Sequence, residues 1–335
     1  MANSIPMITA TLLAGIPEFV GAELGDRALR RAYSDAGLHN GATSAAGQYV
    51  AEGTLVNLLE SAARQAGDDT LGTLIGAHVN LGVYDTWGAY VLEAETLGDA
   101  LRRFSVVMRF LASHSTAGLV VTGQQACLNY RWGARDTLGY HQVCLASAGS
   151  LLNTLRLYLG QEFLPDEIHL DMARPPRTTP IESSLQTRIF FDANEISLRF
   201  PRYLLKRQRP GPLIARPVTL SEVRRHVLTG PPRNIDEAVT ELIRTQVFNG
   251  GPSFERTSRA LNLNERTLRR MLDRSGEGFR DLSNRIRLET AEELLRGTSM
   301  SVRAVAKAVG YSDSYNFSRA FKNRYGCRPT AVRSF

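Results

Sequence analysis

The chain has 335 residues, 43% hydrophobic and 22% charged, with a net charge of +7. That length suits two domains, and either half can bury a core without disulfides or metal. Three widely spaced cysteines, Cys127, Cys144 and Cys327, exclude a disulfide framework and a four-ligand zinc site, and they imply a reducing, cytoplasmic setting. No run approaches the roughly 18 apolar residues of a membrane span. The apolar stretch Ile8–Leu13 has no basic residue before it, so it reads as mature protein rather than a signal peptide.

In chain order, helices come first. Leu55–Ala63 and Leu97–Phe104 repeat apolar residues at three-to-four spacing, and Thr96 is placed to cap the second, with Asp99 three residues on. Strands are expected over Leu119–Thr122 and Ala126–Trp132, then a helix over His141–Leu159. Short strands follow near Glu167–Leu170, Arg188–Phe191 and Glu195–Phe200. The expected fold is an α/β (α+β) domain over residues 1–200. Residues 201–232 carry Pro201, Pro210, Pro212, Pro217, Pro231 and Pro232 and read as a linker with one helix, Leu220–Val227. The boundary falls at Gly230-Pro231-Pro232. Residues 233–335 are expected to be all-α, with breaks at Asn249-Gly250-Gly251-Pro252, Ser275-Gly276, Gly297-Thr298-Ser299 and Gly326-Cys327-Arg328-Pro329.

The charge is concentrated at one end. Residues 250–335 hold seventeen Lys and Arg against nine Asp and Glu, while the rest of the chain is close to neutral. A basic module joined to a neutral one is the footprint of a nucleic-acid binder attached to something else.

Inside that module one pattern occurs twice, 48 residues apart, from Ser253 and from Ser301. Each copy has a Ser cap, a short amphipathic helix with a small residue (Ser258, Ala306), and a residue suited to positive φ (Asn262, Gly310). An apolar residue and a second cap (Asn264, Ser312) then open another helix. That order is a helix-turn-helix. In the second helices Leu268, Met271, Leu272, Phe317 and Phe321 should point inward. The outward faces supply the candidate DNA contacts: Arg266, Thr267, Arg269 and Arg270 from the first, and Ser314, Tyr315, Asn316, Arg319 and Lys322 from the second. Arginine can bind guanine bidentately, and hydroxyls and amides read other edges or phosphates.

The stretch Arg287-Leu288-Glu289-Thr290-Ala291-Glu292-Glu293-Leu294-Leu295 resembles the linking helix of AraC/XylS-type transcription regulators. Ser301–Asp313 and Phe317-Ser318-Arg319-Ala320-Phe321-Lys322 resemble that family's second helix-turn-helix, and Gly326-Cys327-Arg328-Pro329 its closing motif. The resemblance implies that both recognition helices enter successive major grooves of double-stranded DNA, with Arg266, Arg269, Arg270, Ser314, Tyr315 and Arg319 facing bases. The first unit departs from the pattern: Ser258 replaces the usual alanine, Asn262 the usual glycine and Glu265 a common proline. Glu95–Leu101, Phe163-Leu164-Pro165 and Phe190–Leu198 resemble the arabinose-binding-like N-terminal domain of a subgroup. That resemblance implies a sensor and dimerisation domain, hence a homodimer answering a small-molecule effector, without naming arabinose. Contact with RNA polymerase, and with it an activator's role, belongs to the same expectations, although the sequence itself leaves activation and repression open.

Other chemistry is weaker. His141 and Cys144 share a helical face but lack a second ligand pair, and they read as a polar helix residue and a buried thiol. No cysteine has a visible activating base, no glycine-rich phosphate loop occurs, and three cysteines cannot form the four-cysteine zinc module of DNA-repair methyltransferases that carry similar helices. No catalytic residue, metal or cofactor is therefore expected. Tyr84, Trp87, Tyr90 and Trp132 suit an effector pocket but are commoner as plain core. An architectural DNA binder and an enzyme remain the competing readings. The first leaves the α/β domain without a task, and the second lacks a catalytic constellation.

Overall fold

The computed structural model describes residues 5–38, 48–211, 218–226, 230–248 and 250–332. Pro212, Pro217 and Val227 of the expected linker, and Asn249 of the expected break, lie outside the described residues. The chain divides into two compact units, one spanning Pro6–Pro231 and the other made of the chain from Pro232 on together with Ile5 from the N-terminal end.

The first unit opens with β1 (Met7–Thr9), a 3-10 turn over Ala10–Leu13, α1 (Ile16–Leu24), α2 (Asp26–Asp35), β2 (Tyr49–Ala51) and α3 (Glu52–Ala66). The apolar run at Ile8–Leu13 is used at once: β1 pairs antiparallel with β2, and Ile8 and Leu13 are fully buried. Next come α4 (Leu71–His78), a 3-10 turn at Leu81–Val83, α5 (Asp85–Leu92) and α6 (Leu97–Leu111). Thr96 caps α6 as expected. Its Oγ1 accepts from Asp99 N at 3.2 Å and donates to the Asp99 carboxylate at 2.6 Å, and this bond holds the Asp99 carboxyl below its ordinary pKa.

A five-stranded sheet follows, built from β3 (Thr116–Thr122), β4 (Gln125–Arg131), β5 (Glu167–His169), β6 (Arg188–Phe190) and β7 (Ile196–Pro201). Two helices interrupt the strands, α7 (Tyr140–Leu159) before β5 and α8 (Thr179–Leu185) before β6. The strand order is β3-β4-β7-β5-β6, antiparallel except for the parallel β5–β6 pair. Leu128, Leu198 and Ile168 lie in register across the three central strands, and all are fully buried. Asp192-Ala193-Asn194 joins two strands that are not neighbours, because β5 inserts between them.

Helix α7 packs on α4 through glycine. A Cβ at Gly72 or Gly76 would collide with the carbonyl oxygen of Gln142 or Ala146, and one at Gly149 would lie 2.8 Å from the Gly76 carbonyl carbon. The backbones therefore touch directly. Gln142 closes the seam, accepting from Gly72 N at 2.8 Å and donating to Asp69 O at 2.8 Å.

The proline-rich stretch is partly built into this unit. After β7 a 3-10 turn (Arg202–Lys206) leads into residues that run beside the start of α6, with Leu97 N donating to Arg207 O and Arg209 N to Glu95 O, both at 2.9 Å. Helix α9 (Leu220–His226) then packs against α5 and α6 and buries Val223 completely.

The second unit is all-helical: α10 (Ile235–Val247), α11 (Phe254–Ala260), α12 (Glu265–Ser275), α13 (Phe279–Gly297), α14 (Val302–Ala308) and α15 (Ser314–Tyr325), with a closing 3-10 turn at Pro329–Ala331. Its core is an apolar stripe along α10 (Ile235, Val239, Leu242, Ile243), packed against α12 and α13.

Candidate nucleic-acid interface

The two repeats fold alike through their turns. Ser253 Oγ accepts from Arg256 N at 3.3 Å and Ser301 Oγ from Ala304 N at 3.1 Å, so both first helices carry the expected caps. Both turns close with the same pair of bonds: Asn262 N to Arg259 O and Leu263 N to Ser258 O, then Gly310 N to Lys307 O and Tyr311 N to Ala306 O. Asn262 has φ +54° and Gly310 φ +80°. Ser258 and Ala306 are both buried at the crossing of the helices.

The second caps differ. Asn264 Oδ1 accepts from Thr267 N at 2.8 Å, as expected. In the other repeat the cap is Asp313 rather than Ser312: Asp313 Oδ1 accepts from Asn316 N at 2.7 Å, and α15 starts at Ser314. The carboxylate is the stronger acceptor for an orphan amide, and that amide bond keeps the Asp313 carboxyl below its ordinary pKa. One extra residue thus enters before the second recognition helix. The repeats match at a spacing of 48 through the turn and 49 beyond it, where Leu268 pairs with Phe317 and Leu272 with Phe321, all buried.

Across from those buried residues lie the candidate contacts. On α12, Arg266, Arg269 and Arg270 are exposed and Thr267 is half-buried. Arg266 and Arg270 form no ion pair among the described residues, whereas the Arg269 guanidinium lies over the Phe254 ring, 5.4 Å from its centroid. On α15, Ser314, Tyr315, Asn316, Arg319 and Lys322 are all exposed, Tyr315 at 74%. The Asn316 amide is engaged, its Nδ2 donating to Asp313 Oδ2 at 2.6 Å.

Two positioning residues escape a reading of local pattern. Gln246 of α10 accepts from Ser253 N at 2.8 Å and donates to Thr257 Oγ1 at 3.1 Å, pinning α11 from inside the core. Arg287 of α13 donates through Nε to Val309 O at 2.6 Å, and its guanidinium lies 4.0 Å from the centre of the Tyr311 ring. Partial burial lowers the Arg287 pKa and raises that of Tyr311.

The first unit contains a pocket of about 80 Å³, partly open to solvent, walled mainly by α3, α4, α5, α6, α7 and β4. Tyr84, Trp87 and Trp132, three of the four aromatics singled out in the sequence, line it, and Tyr90 does not. Cys144 is fully buried, and burial pushes its thiol well above the ordinary range; Sγ lies 3.3 Å from Asp171 Oδ1. His141 stands half-exposed, 4.0 Å from a Glu60 carboxylate oxygen. Glu52, buried with its carboxylate accepting from Ser115 Oγ at 2.5 Å and Ala134 N at 2.7 Å, is pushed up to about 7 by burial. No described helix is long and apolar enough to cross a membrane.

Known proteins match both units. The N-terminal arabinose-binding domain of AraC transcription regulators matches residues 27–208, and a helix-turn-helix domain matches residues 257–334. An ornithine utilization regulator of Pseudomonas aeruginosa is 26% identical over 288 residues, 82% of each chain. An HTH-type transcriptional regulator of Mycobacterium tuberculosis is 36% identical over 95 residues, so the match spans only 28% of either chain. The crystal structure of the transcriptional regulator CdpR from Pseudomonas aeruginosa aligns over 91% of this chain and 96% of its own, at 19% identity and a TM-score of 0.42. With more than half of its length matched by the N-terminal domain and the twin helix-turn-helix units behind it, the chain belongs to the AraC/XylS family of DNA-binding transcription regulators.

Proposed function

We propose that this regulator binds its operator as a homodimer and is switched by a small-molecule effector, its two recognition helices lying in successive major grooves. In this reading residues 1–200 sense and dimerise, residues 201–232 join, and residues 233–335 read DNA. Arg266, Thr267, Arg269 and Arg270 face the duplex from α12, and Ser314, Tyr315, Asn316, Arg319 and Lys322 face it from α15. The protein works in the cytoplasm without catalytic turnover of its own, and it activates through contact with RNA polymerase.

The observation that carries the reading is the pairing of two identically closed turns with two exposed faces of basic and hydrogen-bonding side chains. Helix ends and arginines on such faces fit base edges and phosphates. The aromatic-walled cavity in the neutral unit supports the sensor half of the proposal.

The test separates base readout from backbone contact. Arg319→Ala is expected to lose roughly 1–3 kcal/mol at the operator and to relax discrimination at one or two base pairs. Lys322→Ala, nearer the backbone by helical spacing, is expected to weaken all sequences alike and to flatten the salt dependence. Binding curves on operator and random duplex at matched salt decide the matter, and equal losses on both duplexes for both variants would remove Arg319 from the bases.

A further inference from the structure

We infer that the cavity in the first unit takes a short, uncharged, mainly apolar molecule carrying at most one hydroxyl or carbonyl group. The inference rests on reading residues 1–200 as a sensor and gives that sensor's ligand a chemical class.

Three features of the wall lead there. None of the described residues lining the cavity is charged, and the buried Glu52 carboxyl behind Tyr130 is already held by Ser115 and Ala134. An ammonium or carboxylate entering would therefore lose its hydration with no charged side chain in the wall to replace it. The indole N–H groups are already used: Trp132 Nε1 donates to Ser147 Oγ at 2.9 Å, and Trp87 Nε1 to Thr11 Oγ1 at 3.3 Å. The Tyr84 hydroxyl faces Ser150, and the Tyr84 and Trp87 rings stack at 4.3 Å. Besides the tyrosine hydroxyls of Tyr84 and of Tyr130, which bonds toward Ser115, the hydroxyls of the wall all belong to one helix, α7. Ser147, which accepts from the indole, keeps its own proton to donate. That suits a single oxygen at one end of a hydrocarbon and does not suit a sugar, whose many hydroxyls would go unpaired.

Size narrows the class further. The cavity, at about 80 Å³, is about half the roughly 150 Å³ that accommodates benzene in an engineered cavity. It fits a chain or ring of a few carbons, and the flexible Met108 side chain in its wall gives some room to adjust.

The chain supplies its own probe. It contains two tryptophans, Trp87 and Trp132, and both line the cavity, so all indole emission comes from this wall. The experiment titrates the full-length protein with 1-butanol, butylammonium and butanoate, three four-carbon chains that differ in the charge of the head group, and follows tryptophan fluorescence. The expected result is a saturable change with 1-butanol and binding at least about tenfold weaker for both ions. Val143 stands in the wall at 1% exposure, so Val143→Phe should abolish saturation, with Val143→Leu as a milder filling change should the larger side chain prevent folding. A linear, non-saturating response to 1-butanol in the native chain would overturn the inference, as would an ion binding as tightly as the alcohol or saturation untouched in a folded filling variant. Operator affinity at saturating 1-butanol tests the other reading separately. Saturable binding with unchanged affinity leaves the chemistry of the cavity standing and counts against the sensor.

Discussion

The two helix-turn-helix units share a turn and differ in almost everything around it. The first is braced by a neutral buried amide, Gln246, and cored by Leu268, Met271 and Leu272. The second is braced by a charged guanidinium, Arg287, and cored by a ladder of rings in which Phe317 meets Tyr311 at 5.4 Å and Phe321 at 5.6 Å, and Phe321 meets Tyr325 at 4.6 Å. Their outer faces diverge in the same sense. Among the candidate contacts, α12 offers three arginines and a threonine, whereas α15 offers hydroxyls, an amide, one arginine and one lysine. One backbone device therefore carries two chemistries, a mainly electrostatic face and a mainly hydrogen-bonding one. The packing beneath each face can change without disturbing the turn.

The largest expected effect probes the cores. Phe317→Ala should cost about 3–5 kcal/mol, more than Leu268→Ala, because the ring leaves a larger void and breaks the aromatic ladder. Urea unfolding of a fragment comprising residues 233–335 measures both losses, and equal values would erase the contrast. The faces come next. Arg266→Ala and Arg270→Ala should each lower the slope of log K against log salt by about 0.9 where a phosphate contact is lost, whereas Ser314→Ala and Tyr315→Phe should leave it unchanged. A matching drop in slope for the α15 variants would mean that both helices bind mainly by charge. The turns give the smallest effect. Gly310→Ala should lower stability by roughly 1–2 kcal/mol, since a Cβ is strained at φ +80°. Asn262→Gly should shift it by a few tenths at most, since asparagine already tolerates φ +54°. Thermal unfolding of the two variants checks the pair.

Much of this was legible in the sequence because it is local. Caps, positive-φ residues and apolar spacing report contacts within a turn or two of helix, and Thr96, Ser253, Asn264 and Ser301 cap where expected. Ser312 and Asp313 stand side by side, and pattern alone does not rank them. The backbone geometry gives the bond to the carboxylate. What stayed hidden is long-range. The insertion of β5 between β6 and β7 depends on pairing across the sheet, which leaves no periodic trace. Gln246 sits among the apolar residues of an amphipathic helix and looks like ordinary polar filler until its two partners, 7 and 11 residues on, come into place. Arg287 lies within the motif that carries the family resemblance, yet its bond to Val309 O spans 22 residues. The cavity is likewise invisible in the sequence. Its aromatics come from α5, α6, β4 and the short segments beside them, and only the fold gathers these.

The glycine seam between α4 and α7 limits what variation this protein can explore. At Gly72, Gly76 and Gly149 the permitted alphabet has one letter, since the smallest side chain would strike backbone. Helix α7 also supplies Val143, Ser147, Ser150 and Thr154 to the cavity, so one helix meets α4 backbone to backbone on one side and presents side chains to the cavity on the other. In a population of random variants selected for an altered effector response, survivors should therefore carry substitutions on the cavity side of α7. Positions 72, 76 and 149 should stay unchanged, because a variant lost at folding never reaches the selection.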